Sequence, residues 1–124
     1  MEFDNSKPIY LQIIDSIKKQ LIRGELKPGD KILSQREFAQ SLKVNPNTVQ
    51  RAYREMERVC LVETIRGQGT FVCERKGMLE EIQDEMADRI LRNFLQEMYS
   101  LGFEKDKIIE LVAKWQKQME EERK

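Results

Sequence analysis

The chain has 124 residues, enough for about one domain at the usual ~100–200 residues each. Lys plus Arg and Asp plus Glu each total 22, so the formal charge is zero, and 40% hydrophobic residues is too many for a disordered chain. There is no histidine, which excludes serine–histidine and cysteine–histidine catalysis and most zinc sites. No apolar run approaches the roughly 20 residues of a membrane span. Met1-Glu2-Phe3-Asp4 also lacks the basic start and apolar core of a secretory signal. The expectation is therefore a cytoplasmic protein with no membrane contact, no metal and no cofactor. In that reducing compartment Cys60 and Cys73 are expected as free thiols.

Ile9, Ile13, Ile14, Ile17 and Leu21 recur at helical spacing and predict a first helix over about Pro8–Arg23. Pro8 suits its first position and Gly24 its end. After the Pro28-Gly29 turn, Ser34-Gln35-Arg36-Glu37 reads as a capping box. It opens a short second helix with Phe38, Ala39 and Leu42 inward, ending near Leu42 or Lys43. Asn45, a good N-cap, and Pro46, a good first residue, open a third helix only a few residues later. Its inward face is Val49, Ala52, Tyr53 and Met56; its outward face carries Asn47, Thr48, Gln50, Arg51 and Arg54. Two short helices joined this closely resemble a helix-turn-helix.

Leu61–Ile65 and Thr70–Cys73 have the alternating, β-branched character of strands. Arg66-Gly67-Gln68-Gly69 between them forms a hairpin tip whose backbone can approach another surface. Two helical stripes follow, over about Met78–Leu101 and Lys105–Glu121, with Gly102 between them. The predicted fold is mainly α with a small β-hairpin wing: a winged helix-turn-helix over residues 1–75, then a two-helix C-terminal dimerisation or effector part over 76–124. Lys76-Gly77 is the hinge candidate. Residues 1–75 carry 13 Lys/Arg against 10 Asp/Glu, and residues 76–124 carry 9 against 12, so a mildly basic part precedes an acidic one.

A helix-turn-helix places side chains in the major groove of DNA, where Asn and Gln pair with adenine and Arg with guanine. Asn47, Thr48, Gln50 and Arg51 sit where such contacts are made. Ser34, at the start of the second helix, can meet a phosphate through its hydroxyl and the helix dipole, and Arg36 can reach base or backbone. Arg66, Gly67 and Gln68 form a tip shaped for the minor groove. Taken alone, a polar helix face is as often simply solvated. The order of capped helix, turn, Asn-Pro helix, strand, Gly-x-Gly tip and strand makes the signal specific.

Pro8–Val72 resembles the DNA-binding domain of the GntR family of bacterial transcriptional regulators. The matching runs are Pro8–Ile13, Gly24–Ile32, Ser34–Ala39, Val44–Val49 and Arg66–Val72. Asn45–Tyr53 and the short two-helix tail resemble the YtrA subfamily in particular. The resemblance implies base contacts by Arg36, turn and recognition-helix contacts by Asn45, Asn47, Thr48 and Gln50, with Arg51 and Arg54 nearby, and Gly67 entering the minor groove. It also implies a repressor, with transporter genes as a frequent target. Pro46 stands where many members have arginine, which removes one base-reading side chain. Leu33 replaces a usual proline, which would loosen the entry to the second helix. Lys43 and Cys60 replace usual glycines, and Lys43 would hold a positive φ at roughly 1 kcal/mol.

A lone winged helix reads one half-site, whereas a symmetric dimer reads a palindrome. The tail stripes are too apolar for a helix pair to leave in water. The expectation is a homodimer held by Ile82, Met86, Ile90, Phe94, Ile108, Val112, Trp115 and Met119. Packing within the chain is the alternative. Such helices leave little room for a small-molecule effector beyond a Met- and Trp-lined crevice between subunits. Two rival functions are a metal-dependent nuclease and a protein-interaction module without sequence-specific DNA binding. The acidic pairs Glu80-Glu81 and Asp84-Glu85 and the run Glu120-Glu121-Glu122 read as solvated faces rather than as a nuclease site.

Overall fold

In the computed structural model, residues 2–123 are described. Helix α1 spans Ile9–Ile22 and buries Ile13, Ile14, Ile17 and Leu21, the stripe its spacing predicts. Helix α2 spans Gln35–Leu42 and buries Phe38 and Ala39, while Leu42 is half-buried. Helix α3 spans Pro46–Arg58, and its four inward residues Val49, Ala52, Tyr53 and Met56 are all fully buried. Each large apolar side chain covered this way contributes about 1.5–3 kcal/mol.

The wing has one more strand than a hairpin. Strands β1 (Lys31–Ile32), β2 (Val62–Ile65) and β3 (Gly69–Val72) form an antiparallel sheet in the order β1-β3-β2. Ile65 lies opposite Gly69 and Val62 opposite Val72 across the hairpin. Lys31 lies opposite Phe71 on the other edge of β3. The reason is the Pro28-Gly29 turn. The Gly29 N–H donates to the Val72 carbonyl at 2.9 Å, and the Val72 N–H donates to the Asp30 carbonyl at 2.8 Å. That delivers Lys31 and Ile32 alongside β3. Two residues are too short to show any period, so the sequence carries no strand signal there.

Helices α4 (Met78–Ser100) and α5 (Lys105–Glu122) complete the chain. The chain divides into two compact units, one ending at Gln83 and the next starting at Asp84. The division falls inside α4, beyond the Lys76-Gly77 hinge candidate. Within the first unit Met78 and Ile82 are buried, and the Arg75 Nε–H donates to the Cys60 carbonyl at 2.9 Å. In the second unit Met86 and Ile108 are buried. None of the described helices is long and apolar enough to cross a membrane.

Candidate nucleic-acid interface

The start of α2 is a closed capping box. Ser34 Oγ accepts the Glu37 N–H at 3.1 Å, and Glu37 Oε1 accepts the Ser34 N–H at 3.0 Å. Donation from the Ser34 backbone holds the Glu37 carboxyl below the usual carboxylate range. The loosening expected at Leu33 is opposed by α3. The Tyr53 hydroxyl donates to the Leu33 carbonyl, and its ring meets Phe38 edge-on at 6.1 Å between centroids. Burial pushes the Tyr53 phenol up, so it stays a protonated donor.

The turn between α2 and α3 runs through a strained residue. Lys43 has φ 53° and ψ 46°, and its N–H caps α2 on the Ala39 carbonyl. Cys60, after α3, has φ 59°. Both stand where the resemblance puts glycine, and both carry the left-handed cost of about 1–2 kcal/mol. Asn45 Oδ1 accepts the Asn47 N–H at 2.8 Å, which leaves the Asn45 amide N–H groups as donors.

These caps aim the two helix starts at one place. Arg36 from α2 and Asn47 and Gln50 from α3 line a groove of about 470 Å³, together with Gln35, Ala39, Gln40 and Pro46. Arg36, Asn45, Asn47, Gln50, Arg51 and Arg54 are exposed, and Ser34 and Thr48 are half-buried. Arg51 turns away from the groove toward α1. Its Cζ lies 3.9 Å from the Tyr10 ring centroid, and its Nη2 donates to Tyr10 Oη at 3.3 Å. Arg58, further along α3, is committed to Glu55 through two hydrogen bonds.

The wing tip stands apart from that groove. Arg66, Gly67 and Gln68 are exposed, and the Gln68 N–H closes the turn on the Ile65 carbonyl at 2.9 Å. Gly67 has φ 81° with open space where a Cβ would stand, so nothing of the chain covers it. A Cβ on Gly69 would meet Lys31 Cε at 2.7 Å. The Lys31 side chain therefore lies across the base of the tip, a cation there that no sequence spacing indicates. The wing is tied to α3 by Thr64, whose hydroxyl donates to Glu57 Oε1 at 2.6 Å.

The residues expected at a subunit interface divide into two sets. Ile82, Met86 and Ile108 are buried within the chain itself, so they present no surface to a partner. Ile90, Val112, Trp115 and Met119 are exposed and Phe94 is half-buried. In the second unit, Phe94 and Met98 of α4 and Val112, Trp115 and Met119 of α5 line an apolar crevice of about 420 Å³. Cys60 and Cys73 are free thiols, and burial raises the Cys73 thiol above its ordinary range, which favours the unreactive form.

Residues 9–72 match the family model for bacterial regulatory proteins of the gntR family. The chain is 50% identical over 109 residues to the uncharacterised HTH-type transcriptional regulator YhcF of Bacillus subtilis, covering 88% of this chain and 90% of YhcF. It is 40% identical over 109 residues to the HTH-type transcriptional repressor YtrA of the same organism, covering 87% of this chain and 84% of YtrA. Among solved structures, a GntR family transcriptional regulator from Listeria monocytogenes superposes with TM-score 0.80 at 45% identity. That match covers 90% of this chain and 98% of the Listeria chain. The AraR DNA-binding domain in complex with operator ORR3 superposes with TM-score 0.51 at 29% identity, over 59% of this chain and 86% of that one.

Proposed function

The chain belongs to the GntR family and is a DNA-binding transcriptional regulator, and from that premise we propose that it is a repressor that binds a palindromic operator as a homodimer. The observation that carries the reading is the convergence of Arg36, Asn47 and Gln50 on one groove between two helix starts. Those residue types supply the bidentate pairings that major-groove edges accept. Ser34 and Thr48 flank them toward phosphates. The uncovered Gly67 tip, between Arg66 and Gln68, suits the minor groove. YtrA, similar over nearly the whole chain, is named a repressor, which supports repression here. Transporter genes are the target that the resemblance implies.

The division of labour follows the chain. Residues 1–75 bind DNA, and residues 76–124 pair the subunits. The pairing surface is Ile90, Phe94, Val112, Trp115 and Met119, because these remain open on α4 and α5. Exposed large apolar side chains clustered in this way mark an interaction surface. A crevice lined by Phe94, Met98 and Trp115 is also where a small apolar effector would fit.

The test is selection of random duplexes with the full chain at two salt concentrations in the presence of competitor DNA. The expected result is a palindrome bound about 10³-fold or more above competitor, by a complex that sediments as a dimer. Enrichment of a single unrepeated site by a monomer would refute the dimer. Binding that vanishes at the higher salt, with no enriched sequence, would mean attraction to the backbone alone and favour a docking module.

A further inference from the structure

We propose that Tyr10 and Arg51 form a phosphate clamp, with Tyr10 of α1 as the positioning residue that takes Arg51 out of base reading and sets it against the DNA backbone. The proposal rests on the DNA-binding reading above. It starts from where Arg51 stands on its helix. Asn47, Arg51, Arg54 and Arg58 follow one another at spacings of four, three and four, so they share the outward stripe of α3. A side chain on that stripe would by default extend into the groove with Asn47.

Arg51 does not. Its guanidinium stacks on Tyr10, 3.9 Å from the ring centroid, and gives one N–H to the phenol oxygen. Ring and hydroxyl together fix both the position and the rotation of the guanidinium plane. The guanidinium has five N–H groups. Among the described residues Tyr10 is its hydrogen-bond partner, and Glu55, the carboxylate that feels its charge, is held by Arg58, so the other N–H groups can form the paired donor fork that a phosphate accepts in bidentate fashion. A base edge at the groove floor would need the arm extended along the groove instead. An arm folded back onto α1 meets the flank, where the sugar-phosphate strand passes.

The core between the two helices is built from other residues. Helices α1 and α3 pack on each other, with Ile13, Ile14, Ile17 and Leu21 buried on α1 and Val49, Ala52, Tyr53 and Met56 buried on α3. Tyr10 is only half-buried and Arg51 is exposed. The contact therefore sits where the buried stripe of α1 comes to the surface at its N-terminal end. Sequence reading misses it because the two residues stand 41 positions apart.

Fluorescence anisotropy on the selected operator and on a scrambled duplex, over a series of salt concentrations, tests the clamp. Arg51→Ala is expected to weaken both duplexes by the same factor and to reduce the slope of log affinity against log salt by about 1 per bound chain. Tyr10→Leu is expected to move the slope in the same direction, with Tyr10→Phe intermediate because it keeps the ring and loses the hydroxyl. The double variant should fall no further than Arg51→Ala alone. Melting temperatures identify variants that fail to fold, and Tyr10→Phe and Arg51→Gln, which loses the charge but keeps a long polar side chain, then carry the test. Loss confined to one base pair of the operator would make Arg51 a base reader and overturn the clamp. An unchanged slope in Arg51→Ala would overturn it too. An unchanged Tyr10→Leu beside a weakened Arg51→Ala would remove Tyr10's role. If the wild-type chain binds neither duplex, the DNA-binding reading itself fails, a result distinct from all of these.

Discussion

The two compact units of this chain solve opposite problems. The first buries its large side chains, with Ile13, Tyr53, Met56 and Leu61 almost wholly out of water, and turns amides and arginines outward. The second buries only Met86 and Ile108 among the described residues and leaves Ile90, Leu101, Trp115 and Met119 more than half exposed. A unit with a closed core can act through its polar surface. A unit with an open apolar face offers a surface for association, because water is a poor neighbour for that much hydrocarbon. On the proposed function, recognition falls to the first unit and assembly to the second, and each should then be open to breakage without the other.

The sharpest break compares two aromatic residues. Tyr53 is fully buried, donates to the Leu33 carbonyl and touches Phe38. Tyr53→Ala is expected to cost roughly 3–5 kcal/mol in urea unfolding, since it opens a cavity and orphans a carbonyl. Trp115 is 53% exposed. Trp115→Ala should leave the folding of the single chain nearly unchanged and convert the dimer to monomer in sedimentation. Equal unfolding costs for the two variants would erase the distinction between the units. A Trp115→Ala variant that stays dimeric would move the interface elsewhere.

A smaller effect tests the polar face alone. Arg36→Ala and Gln50→Ala should each weaken operator binding by about 1–3 kcal/mol. Both side chains are exposed, so melting temperatures should not change. Competition between the operator and single-base variants locates the lost contact. Binding as tight as wild type in both variants would show that the groove does not read bases.

Much of this was legible in the sequence, for local reasons. Ser34 and Glu37 are three residues apart and bond each other; Asn45 caps the helix that Pro46 starts; Val49, Ala52, Tyr53 and Met56 follow one helical period. Gly67 and Gly69 mark the hairpin tip, and Gly67 takes φ 81° there. What escaped depends on distant partners. Strand β1 exists only because β3 is beside it. Tyr10 meets Arg51 across 41 positions, and Leu33 meets Tyr53 across 20. The tail stripes do lie on two helices, α4 and α5. A stripe, however, does not say which of its residues the chain itself covers, and Ile82, Met86 and Ile108 are the ones it does.

Smaller again is the strain at the turn between α2 and α3. Lys43 holds φ 53°, where a β-carbon crowds the following carbonyl. Lys43→Gly removes that crowding but gives the unfolded chain more freedom. The net expectation is stabilisation by about 1 kcal/mol. It would appear as a higher urea midpoint at unchanged slope. A lower midpoint would mean that the Lys43 side chain makes a compensating contact.

The smallest effect concerns the charge that closes α2. Hydrogen bonds from Ser34 hold the Glu37 carboxyl below its usual range. A carboxylate depressed in the folded state adds stability that is present above its unfolded pKa, about 4.3 for glutamate, and is lost as pH falls through the folded value. The cap should therefore weaken only in acid, and only slightly, because Glu37 is fully exposed to solvent. Glu37→Gln keeps an acceptor for the Ser34 N–H but cannot titrate. Asp4 and Glu55 are depressed too, so acid destabilises both proteins, and the difference between them isolates Glu37. Urea midpoints of wild type and variant should lie close together at pH 3 and diverge by pH 7, with wild type the higher. A constant gap across that range would mean that the box holds α2 through its hydrogen bonds alone.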